Sequence, residues 1–235
     1  MTTALRFRPK FLPTLATLAL LPLLVQFGLW QWHKAEAKRQ LQRQVDVLAK
    51  APPVVLGPRL VSGEGLRDRR VMVRGRYERA HQILLDNQVN GAQVGYHVLT
   101  PLHIEGGEAR VLVNRGWVPL GRSRDALPEV APPEGMVEVT GTIWQPAGKQ
   151  PAATNQAGPV WQVPDLARFG AQVPYTLQPF FIRLDPASVG CYVCRWPRVE
   201  EKVGMHLGYA VQWFGMAGVL AAFYLSASVT RSDHE

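Results

Sequence analysis

The sequence lacks the residue sets on which most enzymes and nucleic-acid-binding proteins depend. Its 235 residues contain no recognisable nucleophile, base and acid set, no paired carboxylates and no glycine-rich phosphate loop. The net charge is +8, but no basic run is interleaved with aromatic residues in the pattern that binds nucleic acid. An extracytoplasmic domain held against anionic lipid explains the basic excess more simply. We therefore expect a protein that is not an enzyme and binds no nucleic acid.

Cysteine is nearly absent, which limits the sites that sulfur could form. The two cysteines lie in the segment Cys191-Tyr192-Val193-Cys194, and Arg195 stands where a covalent haem-attachment motif has histidine, so that motif is excluded. Three interpretations stay open: a local disulfide, a redox pair, and a soft site for copper(I). An oxidising compartment favours the disulfide. Without alternating strands and helices around the pair, a thioredoxin-like domain is not expected.

Two long segments contain no charged side chain other than histidine. Phe11–Trp30 and Met205–Ser228 are each long enough to cross a bilayer. The first run ends in bulky residues and not in the small residues of a cleavage site, which favours an uncleaved anchor over a signal peptide. Basic residues before it favour a cytoplasmic N-terminus, and a second span returns the chain to the same side. We predict transmembrane helices over 11–32 and 204–228, with both termini cytoplasmic.

Residues 33–203 are predicted to form one β-rich domain outside the cytoplasm. The helical pattern continues after the first span, which predicts a juxtamembrane helix over 33–50. Short alternating runs and turn signals, of which Asn90-Gly91 is the strongest, then favour an antiparallel barrel or sandwich. Gly75 and Gly141 occupy matching places in two similar runs, where a bend or bulge is expected. The predicted strands are 70–77, 81–86, 94–104, 109–118, 136–144 and 175–184, and residues 146–164 are predicted to form a surface loop. The expected class is therefore an α+β membrane protein.

His206 is the one readily ionisable group in the second apolar run, and it lies at the water-facing end. An imidazole there can ligate a metal or haem iron, and the alternative is an interfacial polar residue without a ligand. Ala210, Trp213 and Ala217 follow on the same helix face. That face fits either a porphyrin edge or a neighbouring helix.

Three further polar residues are candidates for contacts near the spans. Gln26 and Gln212 lie at matching depth, roughly 8–9 Å below the outer surface at 1.5 Å per residue, so we predict a hydrogen bond between them. His33 lies near the mouth of the helix pair, either as a second iron ligand or as an exposed interfacial histidine. Arg115 ends a predicted strand and could pair with a propionate or a partner's carboxylate; the alternative is a solvated arginine with Trp117 packed beneath it.

Four segments, in this order, resemble the surfeit-locus family of cytochrome oxidase assembly factors, which includes the yeast Shy proteins. They are Gly28–Gln31, Gly95–Leu102, Val111–Pro119 and His206–Phe214, and the resemblance covers the chain from about residue 27 to 223. The resemblance implies a membrane-embedded factor that helps mature haem-copper oxidase. It also implies transient binding of haem a, with delivery to the catalytic subunit, and a role for the histidine matching His206 as the iron ligand.

Together, the residues and the resemblance give further expectations about sites, partners and location. The expected cofactor-binding residues are His206, Tyr209, Trp213, Trp30, Gln31 and Arg115. The expected metal ligands are His206 for the haem iron, with His33 and the pair Cys191 and Cys194 as weaker candidates. The expected partners are the oxidase catalytic subunit, haem a synthase and membrane lipid, at the inner membrane of a bacterium with the main domain in the periplasm. Two rival functions are a copper(I) chaperone that uses the two cysteines and a scaffold for oxidase subunits that binds no cofactor.

Overall fold

The two helices that carry the apolar runs form one unit with the ends of the chain. This computed structural model describes residues 4–121, 126–146, 158–197 and 203–232. They divide into a first unit, Met1–Gln44 with Pro197–Glu235, and a second unit, Val45–Trp196. The long helices are α1 (Phe11–Lys50), which belongs to the first unit up to Gln44, and α3 (Val203–Ser228).

Both helices are long and apolar enough to cross a membrane. Only 11% of the residues in each apolar window are buried, whereas the core helix of a soluble protein would be mostly buried. The predicted spans lie inside the two helices, and the predicted juxtamembrane helix is the continuation of α1 without a break. Its 40 residues extend about 60 Å, twice the thickness of the hydrocarbon layer. Together with the β-rich second unit, these helices fit an α+β membrane protein.

The helices run antiparallel and pack through small and aromatic residues. Phe27 and Trp213 have ring centroids 5.0 Å apart. Gly28 lies against the ring of Phe214 so closely that a Cβ atom there would be 2.6 Å from Cε1. Beyond the helices, two short strands, β1 (Ala4–Phe7) and β10 (Val229–Ser232), pair antiparallel. The described ends of the chain therefore lie side by side.

The second unit contains a closed five-stranded barrel. Its sheet has the order β2-β3-β7-β9-β6-β5-β4-β8, and an additional pairing of β3 with β5 closes the ring β3-β7-β9-β6-β5. The elements are β2 (Val54–Leu56), β3 (Arg70–Tyr77), a 3-10 turn (Arg79–His81), β4 (Ile83–Asn90), β5 (Gln93–Ile104), β6 (Arg110–Pro119), β7 (Val137–Trp144), β8 (Val160–Trp161), α2 (Leu166–Gly170) and β9 (Leu177–Leu184). Each of the predicted strands corresponds to one of these, and the turn predicted at Asn90-Gly91 joins β4 to β5. Of the two architectures that the sequence favoured, the structure has the barrel.

The expectation of a wholly antiparallel sheet is wrong. Strands β6 and β9 pair parallel, and so do β2 with β3 and β4 with β8. The first of these follows from ring closure, because five strands in a closed ring cannot alternate in direction all the way round. The loop predicted over 146–164 is also wrong at Val160–Trp161, which pairs with β4. Residues 147–157 of that loop lie outside the described residues.

The barrel interior is the main apolar core. Alternate residues of the ring strands point inward, as the twofold period of a strand requires. The fully buried members of this core include Val71, Val73, Leu102, Ile104, Val111, Val113, Val139, Ile143, Phe180, Ile182 and Leu184. A second cluster lies on the other face of the sheet, where Phe169 of α2 packs with Trp161, Leu112 and Phe181. This cluster explains why α2 follows β8 so closely.

Gly75 marks the place where β3 changes partner. It pairs with Val137 of β7 and also with Ile104 of β5. The pairing of β3 with β7 runs through Gly75 and Gly141 without a register shift, so the predicted bulges are absent. Instead, a Cβ atom at Gly75 would collide with the backbone oxygen of His103. Glycine is therefore needed for close approach of the backbones where the barrel closes.

We expect Gly75→Ala to lower the free energy of unfolding by at least about 2 kcal/mol, because backbone cannot move aside as a flexible side chain can. Gly57→Ala is the matched control, since a Cβ atom at Gly57 meets nothing within 4 Å. Urea unfolding of both variants, followed by tryptophan fluorescence, measures the difference. Equal midpoints for the two variants would contradict this account of barrel closure.

Candidate functional site

The imidazole of His206 is held by a side chain of the other long helix. Its Nδ1 lies 2.7 Å from Oε1 of Gln31, and both side chains are half-buried. An amide oxygen only accepts hydrogen bonds, so in the neutral ring Nδ1 donates its proton to Oε1 of Gln31 and Nε2 keeps a lone pair. Histidines that bind metals are commonly oriented by such a hydrogen bond on the other ring nitrogen. The arrangement can therefore present Nε2 to a metal ion.

Small residues bring the two helices close enough for this contact. Ala210 and Ala217 of α3 are 1% and 5% exposed, and they are spaced by two turns on the same face as His206. In α1 the corresponding residue is Gly28, three residues before Gln31. The sequence left open whether the small face of α3 receives a porphyrin edge or a helix. In the structure this face receives a helix.

The predicted aromatic residues divide between packing and exposure. Trp213 is half-buried and packs against Phe27. Tyr209 and Trp30 are 47% and 51% exposed. Lys34 places its Nζ 5.8 Å from the centroid of the Trp30 ring. Exposed aromatic surface and a positive charge therefore lie on the helices that carry Gln31 and His206.

The predicted hydrogen bond between Gln26 and Gln212 is not formed among the described residues. Both side chains are exposed, on faces of α1 and α3 away from the helix contact. Gln26 is two residues from Gly28 and so lies about 200° round the helix from the contact face. Among the described residues, the polar side-chain contacts that join the helices include Gln31 with His206 and Thr14 with Tyr224, whose hydroxyl oxygens are 3.0 Å apart.

His33 lies on α1 two residues after Gln31 and is exposed. In the part of the chain that the structure describes, no hydrogen bond or ring contact joins it to His206. Across the same residues, no group of three or more His, Cys, Asp or Glu side chains could hold a metal ion. A role for His33 as second ligand stays a prediction.

Arg115 is a buried structural residue of the barrel domain. It is 2% exposed, Nε donates to the carbonyl oxygen of Gly190 at 2.9 Å, and Nη2 donates to that of Ala131 at 3.2 Å. The guanidinium also lies over the rings of Tyr77 and Tyr192, 5.2 and 4.7 Å from their centroids. Burial raises the pKa of the Tyr77 phenol well above its usual range, against the opposing effect of the Arg115 charge. Because Arg115 is almost fully buried, it has no surface for a propionate, and neither that pairing nor a solvated side chain describes it.

Cys191 and Cys194 form a disulfide. Of the three interpretations open from the sequence, this is the one that the structure contains, and a disulfide does not ligate copper(I). The segment around it lies against β6, where Val193 and Trp117 exchange backbone hydrogen bonds of 2.9 and 3.2 Å. Trp117 is itself 5% exposed.

The chain is similar to a set of animal proteins over most of its length. Residues 18–218 match the model of the SURF1 family. "Surfeit locus protein 1" of Takifugu rubripes is 25% identical over 223 residues, which cover 87% of this chain and 92% of that protein. The human protein of the same name is 26% identical over 210 residues, which cover 81% of this chain and 69% of the human protein. The Drosophila melanogaster "SURF1-like protein" is 25% identical over 227 residues, which cover 87% of this chain and 73% of that protein.

We expect Gln31→Leu to remove the acceptor that fixes the His206 tautomer. In the unaltered protein, nitrogen NMR of labelled histidine should show His206 protonated at Nδ1 and not at Nε2. The variant should show a mixture of tautomers, because neither ring nitrogen retains a preferred partner. Gln26→Leu is the control, since that amide is exposed. A His206 protonated at Nε2 in the unaltered protein would refute the assignment.

We expect Arg115→Ala to destabilise the barrel by roughly 2–4 kcal/mol, because buried carbonyl oxygens lose their donors. The exposed Arg79 supplies the control, Arg79→Ala. Chemical unfolding of the full chain measures both. If the two variants unfold at the same denaturant concentration, Arg115 does not hold the barrel domain together.

Proposed function

Because the chain belongs to the SURF1 family, we propose that it is an assembly factor for haem-copper oxidase that carries haem a on its two transmembrane helices. Family membership supports the assembly role. The single observation that carries haem binding is the hydrogen bond between His206 and Gln31. Haem a is here a cargo, held until it passes to the oxidase catalytic subunit, and the protein itself is not an enzyme.

Nε2 of His206 is the proposed ligand of the haem iron. In the neutral ring, the hydrogen bond to Gln31 favours the tautomer with its proton on Nδ1, which leaves the lone pair of Nε2 for a metal. The rigid helix and the Gln31 contact together fix the direction of the ring, as ligand-orienting contacts do in other metal sites. A carrier that would contribute only one ligand to the iron would leave the receiving protein free to contribute another, which would favour hand-over.

The residues near His206 suit a flat apolar ligand with carboxylates at one edge. Tyr209 follows His206 by three residues and Trp30 precedes Gln31, and both rings are largely exposed. Lys34 provides the positive charge that we assign to a propionate, in place of Arg115, whose donors bind within the barrel. Trp213 is assigned a supporting role, since its ring packs against Phe27.

The proposed location is the inner membrane of a bacterium, with the barrel in the periplasm. Two helices that can span a membrane support membrane insertion. Arg6, Arg8 and Lys10 precede the first apolar run, and positive residues beside a first span are retained in the cytoplasm. Haem a synthase is the proposed donor and the oxidase catalytic subunit the proposed acceptor.

The test is the haem content of protein purified from cells that make haem a. We expect the unaltered protein to show the absorption spectrum of haem a, and His206→Ala to retain at least roughly tenfold less haem. His33→Ala is the matched control, because it removes an exposed histidine from the same helix pair and should keep the haem. Equal circular dichroism spectra exclude misfolding as the cause of any loss.

Unchanged haem content in His206→Ala would remove His206 as the ligand. The absence of haem from the unaltered protein, combined with co-purified oxidase subunits, would favour a scaffold that binds no cofactor. The two results are distinguishable by haem content. In the first, the unaltered protein and His206→Ala both contain haem; in the second, neither contains haem and the oxidase subunits co-purify with both.

A further inference from the structure

The Cys191–Cys194 disulfide lies in a loop whose backbone is held without it. The backbone N–H of Tyr192 donates to the carbonyl oxygen of Arg115 at 2.8 Å, and that of Cys191 donates to Ser188 at 3.2 Å. Val193 and Trp117 add the two hydrogen bonds already described. The loop therefore has a set of backbone contacts that does not require the sulfur–sulfur bond.

The disulfide is also poorly placed to stabilise the fold. Only three positions separate its two cysteines in the chain. A disulfide stabilises mainly by restricting the unfolded chain, and the effect grows with the length of the loop that it closes. A bond that closes so short a loop, in a segment already held by hydrogen bonds, adds less to the stability of the barrel than a bond that closes a long loop.

The two sulfur atoms differ in access. Cys194 is 5% exposed and belongs to the barrel core, whereas Cys191 is half-buried and packs at the edge of that core. Exchange begins by attack of a thiolate on one sulfur, so the more accessible sulfur receives the attack and the other leaves. Here Cys191 would be attacked and Cys194 would leave.

The loop can also accept the reduced form. The Sγ atom of Cys191 lies 3.3 Å from the carbonyl oxygen of Tyr192, and that of Cys194 lies 3.5 Å from the carbonyl oxygen of Arg115. A thiol is a weak hydrogen-bond donor, so each reduced cysteine would find an acceptor in place. Oxidised and reduced forms can then share one backbone conformation.

We propose that Cys191 and Cys194 form a redox site that exchanges with a protein dithiol outside the cytoplasm. One thiolate of the dithiol attacks Sγ of Cys191, the bond to Cys194 breaks, and Cys194 leaves as a thiolate that takes up a proton. The second thiol of the partner, as a thiolate, then attacks the sulfur of the partner's first cysteine in the mixed disulfide. This releases Cys191, which also takes up a proton. The site gains two electrons and two protons, and the partner becomes a disulfide. This proposal does not rest on haem binding.

The first experiment uses the oxidised full-length protein in detergent. It is equilibrated with graded mixtures of reduced and oxidised dithiothreitol, and free thiols are counted by mass after alkylation. We expect both thiols to appear together in one two-electron transition, with no change in far-ultraviolet circular dichroism. Thiols that appear only in denaturant, or a loss of structure on reduction, would overturn the proposal.

The second experiment separates the two sulfurs. Cys194→Ser leaves only Cys191, and Cys191→Ser leaves only Cys194, so each variant is the control for the other. We expect Cys191 to form a mixed disulfide at least tenfold faster with two reagents. One is 5,5′-dithiobis(2-nitrobenzoate), and the other is a thioredoxin that retains only its attacking cysteine, supplied as the mixed disulfide with thionitrobenzoate, which is the leaving group. The rates should become equal in denaturant. Equal rates in the folded protein, or faster reaction at Cys194, would overturn the assignment of Cys191 as the attacked sulfur.

Discussion

The hydrogen bond between Nδ1 of His206 and Oε1 of Gln31 is the contact on which the proposed site depends. Half-buried polar side chains on apolar helices need partners within the protein for the part of their surface that water does not reach. Here that requirement also fixes a tautomer, so the same contact that satisfies both side chains leaves Nε2 available as a ligand. Near the other end of the helix pair, the hydroxyl groups of Thr14 and Tyr224 meet in a comparable way. Between these contacts, Gly28 lies against Phe214 and Phe27 packs against Trp213.

In the barrel unit, the buried charge of Arg115 also has its partners within the protein. Arg115 has its donors on carbonyl oxygens and its faces on tyrosine rings, so a cation is held in the domain by dipoles and ring faces. One of these carbonyl oxygens belongs to Gly190, immediately before the disulfide loop. The backbone of Arg115 meets the same loop through Tyr192. The side chain and main chain of one residue thus connect strand β6 to the segment that carries both cysteines.

Much of the fold follows from patterns in the sequence, and the errors have physical causes. Charge-free runs predicted both long helices, and alternation predicted the strands of the ring. The parallel pair β6–β9 was missed because strand direction depends on closure of the ring, which local alternation does not encode. Strand β8 has only two residues, Val160 and Trp161, too few to show a period.

In the candidate site, the sequence singled out His206 and Gln31 but did not pair them. Position along a helix can be counted from the sequence. Whether Gln26 faces the other helix depends on which residues form the helix contact, and the sequence alone does not give these. Arg115 was expected to bind a ligand because the sequence does not show that it is buried. Its guanidinium contacts Gly190 and Ala131, which are distant from it in sequence. The central claim is that Nε2 of His206 binds the haem iron, and pulsed electron paramagnetic resonance of the ferric protein, labelled with nitrogen-15 in histidine, tests it most directly. We predict a coupling from one histidine nitrogen that disappears in His206→Gly and returns as an unlabelled nitrogen signal when imidazole is added; a coupling that persists unchanged in His206→Gly would contradict the account.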